Sequence, residues 1–337
     1  VNGGYFCRGL PMDFADAPPG WSWSDVEPHY RAIATDLDFP DRHGGGPIPV
    51  RRVAEMGLST AAFTASAESA GFGWLPDLNE AGADSGVAAV PLNIADGVRI
   101  GPGAAFLEPA LDRPNLTVLT GVRATRIRTA AGRVLGVQAV GRGGPVTLDA
   151  GSVVLSAGAV ASAHLLLLSG IGPGDALRRL DIPVVADLPV GQRFSDHPEW
   201  VMSTDWAAAK DRAVLEAVLV TGGLEVRPYT SGFAAISGQP AREQPAIGVV
   251  LTKPRSRGRL LLVSADPDIA PRIEHRYDSE PRDIADLRAG CDTVADILRR
   301  ATELGEPRWS TSQHLCGTAP MGTDAEAVVD PTCRVVG

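Results

Sequence analysis

Apolar positions along this chain change their rhythm several times, and each change predicts a different kind of structure. Up to about residue 110 they are scattered among glycines and prolines, and two stretches read as helix. In PGWSWSDVEPHY, Pro19 to Tyr30, a turn leads to Ser24 or Asp25 as a cap with Glu27 in the first turn, which predicts a short helix to about Ala34. Residues 57–72, GLSTAAFTASAESAGF, have helix-forming composition behind Ser59 as a cap. A glycine loop, Gly44 to Gly46, lies between them.

From Asn115 to Gly158 the pattern turns to short β-branched runs, TVLT, RATRIR, RVLGVQAV, VTLD and SVVLSAG, parted at Ala131-Gly132 and Gly143-Gly144. These predict an antiparallel meander ending in a buried strand, Val153 to Ser156. Ala157-Gly158 then opens a helix, Ser162 to Leu168, closed by Gly170; strand, glycine turn and helix form the grammar of nucleotide-binding sheets. Residues 200–245 show no clear period and read as loops. Ile247 to Thr252 and Arg259 to Ser264 read as strands, and a long amphipathic helix starts at Pro281, with Ile284, Leu287, Val294, Ile297, Leu298 and Leu304 on one face. The fold class predicted is mixed α/β.

Composition narrows the functions open to such a fold. At 337 residues and 44% hydrophobic, the chain can bury one large core or two interleaved ones. Apolar runs such as Leu165 to Leu168 fall far short of the about 20 residues of a membrane span. A net charge of −9 spread along the chain argues against nucleic acid or anionic lipid as partner and favours a small molecule. Cys7, Cys291, Cys316 and Cys333 stand singly, which suggests neither a metal site nor a disulfide framework and points to a reducing, cytoplasmic setting. The chain opens at Val1 without methionine and stops on the strand-like Arg334 to Gly337, so both ends read as cut.

Two glycine clusters could pass for dinucleotide fingerprints. Gly101-Pro102-Gly103 has Phe106 where a third glycine belongs, and its proline removes a phosphate-binding amide. Gly170 to Gly174 follows a helix rather than a strand and reads as a helix cap and turn. A nicotinamide-dependent dehydrogenase would need such a fingerprint after a strand, and none is present.

The segment Gly158 to Gly172, GAVASAHLLLLSGIG, resembles the second signature of the glucose-methanol-choline (GMC) oxidoreductases, departing from it at Ala163, where that signature prefers Pro or Ser. VNGGYFCRG at residues 1–9 resembles the second half of the family's first signature. PGWSWSDVEPHY, RPNLTVLTGVRATRI and LPVGQRFSDHP are similar to successive family segments, with Arg193 standing for a more usual Asn. HLCGTAPMG from His314, followed by Val328-Val329-Asp330 and RVVG, resembles the active-site segment. The matches run in family order, with only 200–245 unmatched.

This resemblance implies an FAD-binding Rossmann-like (GMC-type) domain, incomplete here, interleaved with an antiparallel-sheet substrate-binding domain. Residues 1–198 would be the remainder of the FAD-binding region and 199–337 a truncated substrate-binding region. It implies FAD-dependent oxidation of a small alcohol, with His314 as the base. Oxidising a CH–OH carbon requires loss of the hydroxyl proton and of a hydride to flavin N5, and an imidazole of pKa about 6.5 can accept that proton at neutral pH. Asn2, Gly3, Gly4 and Tyr5 are the expected flavin contacts, and Ala124 offers backbone groups to the adenine. Of the other histidines, His29, His43, His164 and His275 read as structural or solvated, and His197 as a neighbour of the site or a domain contact.

The electron acceptor is left open among oxygen, a quinone and a mycofactocin-like carrier; GGYFCRGLPMDF and GPIPVRR resemble the bacterial members associated with mycofactocin. Two further readings stand beside the enzyme: a catalytically incompetent fragment, unable to retain FAD because the pyrophosphate-binding GxGxxG unit is missing and without the second catalytic His or Asn as partner to the base, and a non-enzymatic binding module.

Overall fold

A computed structural model describes residues 4–40, 44–80, 82, 85–209, 211–232 and 245–337. The chain divides into two compact units, each assembled from three separated stretches. Val1–Leu116, His197–Lys253 and Pro281–Ser312 form the first, and Thr117–Asp196, Pro254–Glu280 and Gln313–Gly337 the second.

The first unit is built on a six-stranded antiparallel sheet. Its order across the sheet is Arg308–Thr311, Pro198–Ser203, Ala246–Leu251, Leu224–Tyr229, Ala217–Thr221 and Gly86–Ala89. Much of this sheet comes from the stretch expected to be loops. Ala217–Thr221 is apolar on both faces and shows no alternation. Leu224–Tyr229 alternates, but its second set is Glu225, Arg227 and Tyr229, which reads as solvated and is instead enclosed.

One sheet face is covered by α2 (Leu58–Ser69) and α5 (Pro281–Leu298), packing Phe63, Ala67, Leu287, Val294 and Leu298 onto Met202, Leu219, Val226, Ile247 and Val249. Burying each large apolar side chain contributes about 1.5–3 kcal/mol. The helix face predicted from Ile284 to Leu298 is the packed one, whereas Leu304 lies beyond the helix and bridges to Thr204.

The caps differ from expectation. α1 (Trp23–Ile33) starts at Ser22, because Asp25 reaches back to accept the Ser22 N–H at 3.0 Å instead of capping the helix itself. α2 starts at Gly57, whose N–H donates to the buried Glu216 carboxylate at 2.8 Å, so a tertiary partner replaces the Ser59 cap.

The second unit holds the expected meander in three strands, Arg123–Ala130, Arg133–Gly141 and Gly144–Asp149, with α3 (Gly158–Leu168) against it. Ile127, Leu166, Leu167, Leu177, Val190, Leu260 and Val328 form its core. Gly170 ends α3 at φ +84°, where a Cβ would overlap the Pro183 carbonyl, as the turn reading requires. A short helix, α4 (Gly174–Arg178), follows.

Two predicted strands are absent. TVLT and Val153 to Ser156 belong to no strand among the described residues, and Val154 is 86% exposed. A β-branched run becomes a strand only where a neighbour takes its backbone groups. Among the described residues no helix is long and apolar enough to cross a membrane.

Gly290 sets how closely α5 approaches the sheet: an added Cβ would stand 2.6 Å from Val249 Cγ1 and 2.9 Å from Leu224 Cδ1. Gly290→Ala gains about 1 kcal/mol of helix propensity but overpacks a filled core at a cost of about 1–3 kcal/mol. The expected outcome is a lower urea midpoint with an unchanged m-value. An unchanged or raised midpoint would show that the helix can lift off the sheet freely.

Candidate active site

In the second unit the backbone around His314 is fixed at several closely spaced points. Gln313 is left-handed at φ +58° and Gly317 at φ +85°, so the chain turns sharply on either side of the histidine. The His314 N–H donates to Asp196 Oδ1 at 2.8 Å. Cys316 and Ser195 exchange both backbone hydrogen bonds at 2.8 Å. Thr318, buried, donates its hydroxyl to the Ala159 carbonyl at the start of α3 and accepts the Gly191 N–H through its own carbonyl. Beyond it, Val328 enters the core and the Asp330 carboxylate gathers the N–H groups of Thr332 and Arg334. His314 itself is exposed.

In the first unit the sheet face away from α2 and α5 carries a buried polar cluster. The Tyr5 hydroxyl donates to Glu225 Oε1 at 2.8 Å, and Arg227 grips the other Glu225 oxygen through Nε at 2.7 Å while donating to Ser312 Oγ at 2.8 Å. The Tyr229 hydroxyl donates to Glu199 Oε1 at 2.7 Å, in space that only Gly248 leaves open, since a Cβ there would overlap that oxygen. Burial lowers the Arg227 pKa, but Glu225, Tyr229, Tyr5 and Glu199 outweigh it and hold it above its ordinary value. Burial, then Cys7 and Glu225, push the Tyr5 phenol well up. Cys7 is solvent-accessible, yet burial and then Glu225 push its thiol up to about 12.

Of the expected site residues, Gly4 and Tyr5 belong to the first unit, and Ala124 and His314 to the second. Asn2 and Gly3 lie outside the described residues, as does His43. Ala124 is exposed and pairs with Ala139 beside an irregularity that leaves Thr125 out of the strand register. His29 is exposed, and His164 in α3 has its pKa lowered by burial and by Arg123. His275 stacks on Tyr277 with its Nδ1 3.8 Å from Asp196. Asp196 stood in the SDHP motif, but its hold on His314 had no signal in sequence, and neither did Tyr277, Glu225 or Arg227.

Residues 1–199 match the N-terminal and 254–337 the C-terminal model of the GMC oxidoreductases. The chain belongs to the GMC oxidoreductase family. An uncharacterized GMC-type oxidoreductase of Rhodococcus erythropolis is 38% identical over 100% of this chain and 73% of the relative. An oxygen-dependent choline dehydrogenase of Rhizobium etli is 30% identical over 100% of this chain and 73% of its own length. Among solved structures, pyridoxine 4-oxidase from Mesorbium loti superposes with a TM-score of 0.87 at 26% identity, covering 98% of this chain and 74% of that one. GMC oxidoreductases bind FAD, and this chain is an FAD-dependent oxidoreductase.

The residues near Gly4 fit the ring of that cofactor. Gly4 is left-handed at φ +102°, its carbonyl accepts the Asn93 N–H, and the Asn93 side-chain oxygen is buried without a hydrogen-bond donor. A flavin edge carries both N–H donors and carbonyl acceptors, which suits an acceptor left open beside a glycine turn.

Two outcomes follow from the polar cluster. At pH 8 an alkylating reagent is expected to modify exposed Cys333 well ahead of Cys7, because only the thiolate reacts; equal rates would contradict the raised pKa. Arg227→Met leaves Glu225 without its counter-charge and is expected to cost about 3 kcal/mol in chemical denaturation, whereas the double change with Glu225→Gln recovers much of that loss.

Proposed function

We propose that this protein oxidises a small alcohol to the carbonyl compound with FAD, and that His314 takes the hydroxyl proton. The observation that carries the reading is an exposed histidine on a backbone fixed at Gln313, His314, Cys316 and Gly317, within the region matched by the C-terminal family model. An exposed imidazole on a rigid segment is what proton abstraction from a diffusing substrate requires. Choline and pyridoxine, named for the relatives above, each carry a CH2OH group, which supports an alcohol as the substrate.

Bound FAD supplies the acceptor for the hydride lost from the alcohol carbon. The chain's own part is to hold the flavin ring at residues 2–5, offer backbone groups to the adenine at Ala124, and receive the proton at His314. Residues 1–198 would then serve mainly the cofactor and 199–337 the substrate.

In the FAD-loaded protein, His314→Ala is expected to lower kcat by about 10²- to 10⁴-fold with flavin content unchanged. Wild-type turnover in that variant would remove His314 from the mechanism. Running the assay in air, and without oxygen but with a soluble quinone, assigns the electron acceptor.

A further inference from the structure

We propose that Asp196 is the positioning residue for His314: a buried carboxylate that grips the backbone N–H of the base and thereby sets where its imidazole stands. The inference rests on reading His314 as the base.

The Asp196 side chain is fully enclosed. Its Oδ1 accepts the His314 N–H at 2.8 Å, and its Oδ2 accepts the Tyr277 hydroxyl at 2.5 Å. His275 stands against the same oxygen at 3.8 Å, with Phe194 edge-on behind it. A carboxylate taken out of water is tolerated where hydrogen bonds replace its hydration, and charge-assisted bonds of this kind are roughly twice as strong as neutral ones.

Asp196 is well suited to act through the backbone. Its neighbour Ser195 is tied in both directions to Cys316, two residues past the histidine, so 195–196 and 314–316 form one short clamp. Within that clamp the left-handed Gln313 would relax toward an ordinary conformation if the His314 N–H were released, because αL costs a non-glycine residue about 1–2 kcal/mol. The Asp196 hydrogen bond opposes that relaxation.

The test uses FAD-loaded protein carrying Asp196→Ala, Asp196→Asn, Tyr277→Phe, His314→Ala and the double change Asp196→Ala/His314→Ala, with hydrogen exchange followed at the His314 amide. A backbone shift of about 1 Å can cost about 10²-fold, so Asp196→Ala is expected to lose about that in kcat, with KM and flavin content little changed and faster exchange at His314. Asp196→Asn keeps an oxygen for the amide and should recover most of the rate. The double variant should be no slower than His314→Ala alone, since Asp196 acts only through the histidine.

Wild-type turnover and exchange in Asp196→Ala would overturn the inference, as would a loss that multiplies that of His314→Ala. If Asp196→Ala does not fold, Tyr277→Phe decides: slower turnover with faster His314 exchange supports the clamp, and wild-type behaviour refutes it. Full activity in His314→Ala sinks the base reading instead, and the exchange data still report whether Asp196 holds that amide.

Discussion

A carboxylate removed from water must have its lone pairs filled, and this fold meets that demand repeatedly by drawing distant stretches of chain together. Glu216 is filled by Arg212 and by the amide that starts α2. Asp36 and Asp77 share Arg52, and Asp77 also accepts the Asn79 N–H. Glu225 takes Tyr5 and Arg227, and Asp196 takes His314 and Tyr277. Apolar burial supplies the driving force in both units, but these acidic groups fix which loop meets which strand. Losing one partner strands a charge, so each cluster specifies geometry more sharply than packing alone.

The two sides of the large sheet show how this separates stability from chemistry. Strand alternation sends Leu224 and Val226 toward the helices and Glu225, Arg227 and Tyr229 the other way. The first set anchors the strand in a dry core. The second forms a polar cluster with Tyr5, in which every donor on Arg227 that the structure shows engaged meets an oxygen of the same cluster or Ser312.

What sequence revealed follows the same division. Helices α2, α3 and α5 and the three-stranded meander were legible because their periodicity or turn residues are local. The strands between 198 and 229 were not, since apolar residues on both faces erase alternation and enclosed charges imitate a solvated loop. Val153 to Ser156 erred in the opposite sense, because a strand also needs a neighbour that pattern cannot supply. His314 was found through the motif around it. Its grip by Asp196 joins residues 118 apart and has no signature along the chain.

The interleaving of the two units bears on how the protein is made. Each unit is closed by residues late in the sequence, Pro281–Ser312 for one and Gln313–Gly337 for the other. During synthesis neither core can be completed until these stretches have left the ribosome, so up to that point the nascent chain carries open sheet edges and uncovered apolar faces. Such late, non-local closure makes folding slow and leaves the nascent chain dependent on protection from aggregation.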